Sequence, residues 1–305
     1  MAVTELARGT ATRRPARKKG DGKAAALFLA PWFVGLALIT AGPMAASLYL
    51  SFTDYDLLQA PSWIGWDNYE RMFADPRLLN SLQVTFTYVF VSVPLQLAAA
   101  LGLALLLDKG LRGLAVYRSI YYLPSLLGGS VAIAILWRQV FGADGLINQV
   151  LALVEGQGWV SHPDYALGTL VALNVWTFGA PMIIFLAGLR QIPRMYYEAA
   201  SIDGAGRWRQ FRSITVPMLT PIIFFNLVLQ LINAFQSFTQ AFVVSGGTGG
   251  PADSTMFYTL YLYLKGFGSL EMGYASAMAW FLLLIIGGMT FVNFLASKYW
   301  VFYDD

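Results

Sequence analysis

Five polar, uncharged side chains recur at helical spacing inside one long apolar stretch of the chain. They are separated alternately by four and three residues: Asn226, Gln230, Asn233, Ser237 and Gln240. At about 100° per residue, this spacing places all five within an arc of about 80° on one face of a helix. Carboxamides both donate and accept hydrogen bonds, so this face is suited to binding hydroxyl groups without charge. The alternative interpretation is that these side chains hydrogen-bond to neighbouring helices.

A second polar group precedes a sequence that breaks helices. Asn174, Trp176 and Thr177 come just before Gly179-Ala180-Pro181, in a run that is otherwise apolar. A break at membrane depth is tolerated where the freed backbone groups find new partners, as they do beside a cavity. We therefore predict that Asn174 and Trp176 extend the hydroxyl-binding surface. The alternative for Trp176 is an aromatic ring packed in the core or against lipid.

A polar segment at 190–217 is more than a simple connector. It carries five arginines and two acidic residues between two charge-free runs. The dipeptide Asp203-Gly204 is a turn signal, and it predicts a bend between two short helices. Glu198 is a candidate to pair with a basic group on a partner protein. The alternative for Glu198 is a solvated acid in a loop.

The composition excludes several other kinds of chemistry. Cysteine is absent and His162 is the only histidine, so we expect no thiolate or histidine metal site. The sequence has no GxxxxGK[ST] loop for nucleotide phosphates. No acidic or basic residue lies inside the long apolar runs, whereas proton-coupled transporters keep such groups as relays. We therefore expect neither an enzyme nor a proton-driven symporter, and no cofactor bound by this chain.

Six runs without Asp, Glu, Lys or Arg are long enough to cross a membrane as helices, which needs about 20 apolar residues. They cover residues 24–53, 78–107, 119–137, 165–189, 213–252 and 272–297. The fifth run is too long for one span, and the glycine-rich segment 246–251 predicts a turn outside the membrane, with helix five ending near Val244. With 57% hydrophobic and 12% charged residues, the chain is predicted to be an all-α, polytopic membrane protein with six transmembrane helices and few or no strands.

Basic residues are distributed unevenly between alternate connecting segments. Sixteen of the 20 lie in the first 23 residues, in the second and fourth loops, and after the last run. By the positive-inside rule these segments are cytoplasmic, so we expect both termini and the segment 190–217 to face the cytoplasm. We interpret residues 1–23 as a basic arm and residues 24–305 as one membrane domain. The arm lacks interleaved aromatic residues, so we expect no nucleic-acid partner. The first run is about twice as long as the apolar part of a secretory signal, so it predicts an uncleaved anchor.

The segment EAASIDGAGRWRQFRSITVP at 198–217 resembles the EAA loop of bacterial ATP-binding-cassette importer permeases, in particular the carbohydrate-uptake, maltose-type branch. We take the following residues as the expected coupling loop: Glu198, Ala199, Ala200, Asp203, Gly204, Phe211, Ile214 and Pro217. Val216 departs from the leucine usual before the last proline, but it keeps an apolar side chain.

Two further segments resemble external segments of the same branch, 51–73 and 141–160. In the second of them, Ile147, Leu151 and Val154 predict a short interfacial helix. The resemblance thus extends from about residue 24 to the end of the sequence.

The resemblance implies a type I, maltose-like permease fold in the bacterial cell membrane, in which the chain forms half of a channel. It implies a second permease subunit, often a non-identical homologue, and an extracytoplasmic solute-binding protein. It also implies two ATPase subunits, which bind ATP and magnesium and dock on the loop 190–217. The expected activity is the import of a sugar or oligosaccharide, driven by ATP hydrolysis on those partners.

Two alternatives remain open. The first is a permease for glycerol phosphate or another polyol. A phosphate would favour Arg or Lys in the substrate path, and the predicted helix face carries neither. The second alternative belongs to a different class, a passive channel or facilitator that needs no partner.

Overall fold

A computed structural model describes residues 21–110, 113–151 and 158–302 of the protein. The chain divides into two compact units, residues 1–49 and 50–305. The described residues are predominantly helical, as the sequence predicts. They include one small antiparallel hairpin, in which β1 (Thr53–Asp54) pairs with β2 (Ser62–Trp63).

The described part of the first unit is a run of helix. It consists of α1 (Asp21–Gly35), a π-helical segment (Leu36–Ala41) and α2 (Gly42–Leu50), whose last residue begins the second unit. The stretch Ala26–Leu50 is long and apolar enough to cross a membrane, in agreement with the first predicted run.

The second unit is built from helices of very different lengths. The described helices are α3 (Asp67–Ala74), α4 (Pro76–Asp108), α5 (Leu114–Leu127), α6 (Val131–Val140), α7 (Leu146–Leu151), α8 (Pro163–Trp176), α9 (Gly179–Leu189), α10 (Arg194–Ile202), α11 (Arg207–Gln210), α12 (Val216–Phe235), α13 (Thr239–Val244), α14 (Tyr258–Tyr263) and α15 (Met272–Trp300). Short π-helical segments, Phe211–Thr215 and Leu264–Gly268, precede α12 and follow α14.

Helix α4 lies at the centre of the second unit, packed against α8, α9, α12 and α14. Its N-terminus is fixed by Asp75, whose Oδ1 accepts hydrogen bonds from the N–H groups of Arg77 and Leu78 at 3.0 and 3.3 Å. Pro76 takes the first helical position, where a missing N–H removes no helical bond. Ala100 and Ala104 are fully buried on α4, and such small side chains let neighbouring helices approach closely.

The described helices supply up to six membrane spans. Four are unbroken: Ala26–Leu50, Pro76–Asp108, Arg207–Phe235 and Met272–Trp300. Two more arise if each bent pair counts as one span, with α5 and α6 bent by 96° and α8 and α9 by 42°. These segments lie at the positions of the six predicted runs, which confirms the predicted fold class.

The fifth predicted helix is interrupted, which the sequence analysis did not anticipate. Helix α12 ends at Phe235, residues 236–238 form a turn, and α13 ends at Val244. The last helical residue is therefore the predicted one, but the helix is not continuous. The glycine-rich segment that follows is a turn, because four of its glycines have positive φ, a region that glycine enters without steric cost.

The external segments contain short helices. Helix α7 covers Leu146–Leu151, where a short interfacial helix is predicted, and Val154 lies outside the described residues. The predicted arm, residues 1–23, also lies largely outside them.

Candidate functional site

A cavity of about 410 Å³ lies where three helix breaks of the second unit meet. The breaks separate α5 from α6, α8 from α9, and α12 from α13, and α4 supplies a further wall. Irregular backbone at membrane depth is tolerated where it lines a cavity or is buried in protein. The polar side chains in the lining are Tyr88, Gln96, Ser125, Asn174, Thr177, Gln230, Asn233, Gln236, Ser237, Thr239 and Gln240.

The break between α8 and α9 has its origin in Pro181. Because proline has no N–H, the carbonyl of Thr177, four residues earlier, loses its helical donor. Ser125 Oγ donates to this carbonyl at 2.8 Å, and Gln96 Nε2 donates to it at 3.3 Å. Ser125 Oγ also accepts from the N–H of Ala180 at 2.8 Å. Side chains from two other helices thus satisfy the broken backbone and hold it in place.

The break between α5 and α6 lies close to the break between α8 and α9 at Gly128. A Cβ at this position would lie 2.1 Å from Cγ2 of Thr177, so only a residue without a side chain fits. The carbonyl of Gly128 accepts from Gln240 Nε2 at 3.2 Å. Ser130 begins α6 by accepting the N–H of Ile133 on its Oγ at 3.3 Å.

The break between α12 and α13 is held by hydroxyl and amide groups. Ser237 Oγ donates to Gln240 Oε1 at 3.3 Å, and Thr259 Oγ1 donates to the Ser237 carbonyl. Through its two amide atoms, Gln240 therefore connects the break between α12 and α13 to the break between α5 and α6. The three breaks form one polar assembly around the cavity.

Most of the polar face predicted on helix five reaches the cavity. Gln230, Asn233, Ser237 and Gln240 line it, although Ser237 and Gln240 lie beyond the end of α12. Asn226 lies outside the lining: it is fully buried, and its Nδ2 donates to the Ile222 carbonyl at 3.0 Å.

The two residues predicted on the fourth run differ in position. Asn174 lines the cavity. Trp176 is outside the lining, and its ring packs against the ring of Trp137 with centroids 5.8 Å apart.

Five polar lining residues were missed by the sequence analysis: Tyr88, Gln96, Ser125, Gln236 and Thr239. Gln96 is 2% exposed and lies on α4, and Ser125 lies on α5. An amide in the middle of an apolar run is a signal for Gln96, because carboxamides are costly in hydrocarbon unless they are satisfied. A single serine in a helix carries no such signal.

The cavity is suited to binding neutral hydroxylated molecules. In the described part of the chain, every polar side chain of its lining is an amide or a hydroxyl, and none is charged. Such groups donate to and accept from hydroxyls. The described residues also include no cluster of His, Cys, Asp or Glu that could hold a metal ion.

The segment 190–217, which we call the coupling loop, contains the predicted bend between two short helices. Helix α10 ends at Ile202 and α11 begins at Arg207. Gly204 has a φ of +76° between them, and the N–H of Ala205 donates to the Ala200 carbonyl at 2.8 Å. These features are typical of a helix that ends at a left-handed glycine.

The start of α12 is joined to the coupling loop by side chains. The hydroxyl groups of Tyr197 and Thr215 are 2.9 Å apart. Ile214 packs against the core, and the ring of Phe211 lies against that of Trp208 at 5.5 Å between centroids. Pro217 is the second residue of α12, and Thr220 Oγ1 donates to its carbonyl at 2.6 Å. A movement of the loop would therefore reach α12 directly.

The coupling loop exposes both apolar and acidic side chains. Ile202 is 87% exposed and Trp208 is 73% exposed. Glu198 is also exposed, and within the described residues its carboxylate has no hydrogen-bond or ion-pair partner. Large exposed apolar side chains on a segment that also exposes an available charge favour a docking surface.

A polar network fixes the N-terminal end of α4 to α14 and α15. Asp75 Oδ2 accepts from the hydroxyls of Tyr261 and Tyr274 at 2.7 and 2.9 Å. Arg77 donates to both carboxylate oxygens of Asp253 at 2.8 and 2.9 Å. Burial acts to raise the pKa of Asp75, but the two tyrosine hydroxyls and two backbone N–H groups outweigh it, so this pKa lies below its ordinary value.

Comparisons with known proteins are consistent with this arrangement. Residues 72–300 match the family described as binding-protein-dependent transport system inner membrane component. The probable ABC transporter permease protein YesP of Bacillus subtilis (strain 168) is 52% identical over 289 residues, which cover 93% of this chain and 94% of that protein. The lactose transport system permease protein LacF of Rhizobium radiobacter is 33% identical over 280 residues, or 89% of this chain and 93% of LacF.

A solved structure shares the fold. A chain of a bacterial alginate ABC transporter, crystallised with its alginate pentasaccharide-bound periplasmic protein, superposes with a TM-score of 0.76 at 19% identity, covering 92% of this chain and 98% of that one. At this identity the match concerns the fold alone. Taken with the broken helices, the cavity and the coupling loop, the family match and the identity to YesP show that this chain belongs to the family of inner membrane permeases of binding-protein-dependent ABC transport systems.

Proposed function

We propose that the chain is one permease subunit of an ATP-driven importer that passes a sugar or oligosaccharide into the cytoplasm. The observation that carries this proposal is the cavity at the three helix breaks, lined by amides and hydroxyls in the described part of the chain. Sugar hydroxyls need both donors and acceptors, and amides offer both. The similarity to a permease named for lactose transport supports the carbohydrate class.

The proposed complex contains a second permease subunit, two ATPase subunits and an extracytoplasmic solute-binding protein. ATP and magnesium bind to the ATPases, since this sequence has no nucleotide-binding loop. The exposed side chains of the coupling loop are the proposed contact with one ATPase. In two-state terms, closure of the ATPases moves the loop and α12, which changes the side from which the cavity is open.

The proposed orientation places the coupling loop and both termini in the cytoplasm. It is supported by the excess of basic residues in those segments. The Asp75 network then lies at the opposite, extracytoplasmic face.

Two alternatives are less well supported. A permease for glycerol phosphate is disfavoured because the described cavity lining contains no Arg or Lys, although a partner permease could supply one. A passive channel is disfavoured because the chain has a loop with exposed apolar side chains and an available carboxylate, which a channel without partners does not need.

The proposal is tested by reconstituting the complete complex in vesicles and measuring uptake of lactose, maltotriose, digalacturonate and glycerol 3-phosphate. We expect at least one sugar to enter, and only when ATP and loaded binding protein are both present. Uptake without ATP would support the passive channel. Uptake of glycerol 3-phosphate and of no sugar would support the first alternative.

A further inference from the structure

Gln96 and Asn174 lie next to each other in the cavity wall, and the contact between their amides is long. Asn174 Nδ2 lies 3.5 Å from Gln96 Oε1, whereas ordinary N–H···O hydrogen bonds measure about 2.7–3.2 Å. Both side chains line the cavity. The pair is therefore a weak contact between two groups that each form strong hydrogen bonds elsewhere in proteins.

The groups around this pair determine which amide atom is the nitrogen and which is the oxygen. The other end of the Gln96 amide lies 3.3 Å from the Thr177 carbonyl and 3.0 Å from Thr177 Oγ1. A carbonyl only accepts, so the Gln96 atom beside it must be the nitrogen. Gln96 Oε1 then points towards Asn174, which must present its own NH₂ group. The pair thus presents one acceptor and one donor side by side.

Atoms 3.5 Å apart leave no space for an oxygen on the line between them, but a ligand hydroxyl on the cavity side of the pair can reach both. It donates to Gln96 Oε1 and accepts from Asn174 Nδ2 at the same time. A phosphate or carboxylate is acceptor-only and would leave Gln96 Oε1 without a donor, which costs free energy in a site removed from bulk water. The pair therefore distinguishes hydroxyls from anions, in addition to any overall preference of the cavity.

The same pair is connected to the break between α8 and α9. Thr177 Oγ1 accepts from Gln96 and donates to the Asn174 carbonyl at 2.7 Å. The Thr177 carbonyl is the one that Pro181 leaves without a helical donor. A shift of the Gln96 amide towards a bound hydroxyl would weaken its bonds to Thr177, and the break would lose one of its two side-chain donors.

We propose that the amides of Gln96 and Asn174 together bind one ligand hydroxyl from the cavity side, and that this contact is a specificity determinant linked through Thr177 to the break between α8 and α9. The proposal rests on the proposed function, since it assigns a role within the same cavity. It concerns one hydroxyl of a polyhydroxylated substrate, and it adds α4 to the elements that contact the substrate.

The test pairs a change in the protein with a change in the ligand. Gln96→Met keeps the length of the side chain and removes both amide atoms. Gln83→Met is the matched control, because Gln83 lies on the same helix with an exposed side chain outside the cavity lining. For each permease in the reconstituted complex, uptake is measured for the best substrate among lactose, maltotriose, galactose and digalacturonate, and for its single-deoxy analogues.

One analogue should identify the hydroxyl. In wild type and in Gln83→Met, we expect uptake efficiency (kcat/KM) to fall about 5- to 10-fold for the deoxy sugar that lacks the bound hydroxyl, the loss expected for one neutral hydrogen bond. In Gln96→Met, parent and analogue should be taken up with about equal efficiency. The same binding protein delivers every sugar, so its own preference cancels when permeases are compared.

Further variants separate this role from a structural one. Asn174→Leu should abolish discrimination against the same analogue, and Thr177→Ser should retain it. A purely structural role of Gln96 would lower uptake of all sugars in proportion, and that result would overturn the proposal. If Gln96→Met fails to assemble, Asn174→Leu tests the proposal through the same ratio of uptake efficiencies, that of the parent sugar to its deoxy analogue. If no sugar is taken up by the wild type, the proposed function fails as well, so the two failures are distinguishable.

Discussion

At the scale of single residues, the amides on α12 differ sharply in what they contact. Within the described residues, the side chains of Gln230 and Asn233 have no hydrogen-bond partner, and both line the cavity. Asn226, one turn earlier, is buried and bonded to its own helix. Side chains that face a cavity without protein partners are available to a ligand, whereas Asn226 contributes to packing.

We predict that Gln230→Ala and Asn233→Ala each weaken uptake or change the sugar preference, by about 3- to 10-fold for one lost hydrogen bond. Assembly with the partner subunits should be unchanged, because neither side chain supports the helix. Uptake kinetics and co-purification measure the two effects. Wild-type kinetics in both variants, at normal expression, would show that these amides do not contact the substrate.

Asp75 provides a pH-dependent contribution to stability outside the spanning helices. Its pKa in the folded protein lies below the ordinary value, so its contribution is complete above the unfolded pKa of about 3.9 and is lost as the pH falls through the lower folded value. Neighbouring charges that also act on this region are Arg71, Arg77, Asp253, Lys265 and Glu271.

We therefore expect Asp75→Asn to lower the unfolding temperature at pH 7, with the difference from wild type shrinking progressively as the pH falls below about 4. The measurement is thermal unfolding of the purified protein in detergent between pH 3 and 7. Because the other carboxylates titrate in both proteins, only the difference is informative. A constant difference down to pH 3 would contradict this role for the Asp75 charge.

At the scale of elements, the three broken helices are held together by contacts that only small side chains permit. Gly128 sits against Thr177, where a Cβ would come within 2.1 Å, whereas a Cβ on the next residue, Gly129, meets nothing within 4 Å. The two glycines are adjacent, and neither has a positive φ. They provide a matched pair in which only the space for a side chain differs.

Gly128→Ala should lower stability by about 1–3 kcal/mol, the usual cost of overpacking, and should reduce uptake because the two breaks are forced apart. Gly129→Ala should leave the unfolding temperature nearly unchanged. Thermal unfolding of both variants in detergent tests the prediction. Equal unfolding temperatures of the two variants would mean that a side chain at position 128 is accommodated without a loss of stability.

The coupling loop depends on a backbone conformation and on an exposed charge. Gly204 has a positive φ and open space around its Cβ position, so a substitution there is strained by the backbone alone. Gly206 has a φ of −67° and equally open space. Glu198 has no partner among the described residues, so its removal should cost the isolated chain little stability.

We expect Gly204→Val and Glu198→Ala to reduce ATP hydrolysis stimulated by loaded binding protein, together with uptake, while membrane insertion stays normal. The Glu198 effect should be several-fold, since a charge-assisted hydrogen bond at a docking interface contributes about 1.5–3 kcal/mol. Gly206→Val is the control and should retain stimulation. ATPase activity of the reconstituted complex is the readout. Wild-type stimulation in both test variants would show that the loop does not couple ATP hydrolysis to transport.

At the scale of the whole molecule, the number and order of spans follow from local composition. Each predicted run corresponds to one long helix or to one bent pair. The loops between them carry the charge asymmetry on which the proposed orientation rests. Helix count and charge asymmetry are thus properties of the sequence that precede any tertiary contact.

A cytoplasmic reporter should therefore be active when fused after Asp305 and inactive when inserted near Gly249. Gly249 lies in the turn between α13 and α14 and has a positive φ, so an insertion there interrupts no helix. The measurement is reporter activity in intact cells at equal expression. Activity at the Gly249 site would contradict the six-span topology.

The sequence alone determined the class, the spans and the bend in the segment 190–217. Long charge-free runs must be buried in lipid or protein, whatever else they contact. The bend at Asp203-Gly204 could be predicted because the conformation of a turn depends on the residues within it. Most of the polar face on helix five could also be predicted, since helical periodicity is a local property.

Only the tertiary structure decided which polar side chains meet. Gln96 and Ser125 lie 81 and 52 residues from Thr177 along the chain, and no local pattern connects them. The end of α12 at Phe235 places Ser237 and Gln240 on a separate element, which periodicity alone treats as one helix. Asn226 and Trp176 carry polar groups at suitable spacing but pack elsewhere. The break between α8 and α9 is held beside the cavity because a proline frees a carbonyl on one helix, and donors on two others are close enough to satisfy it.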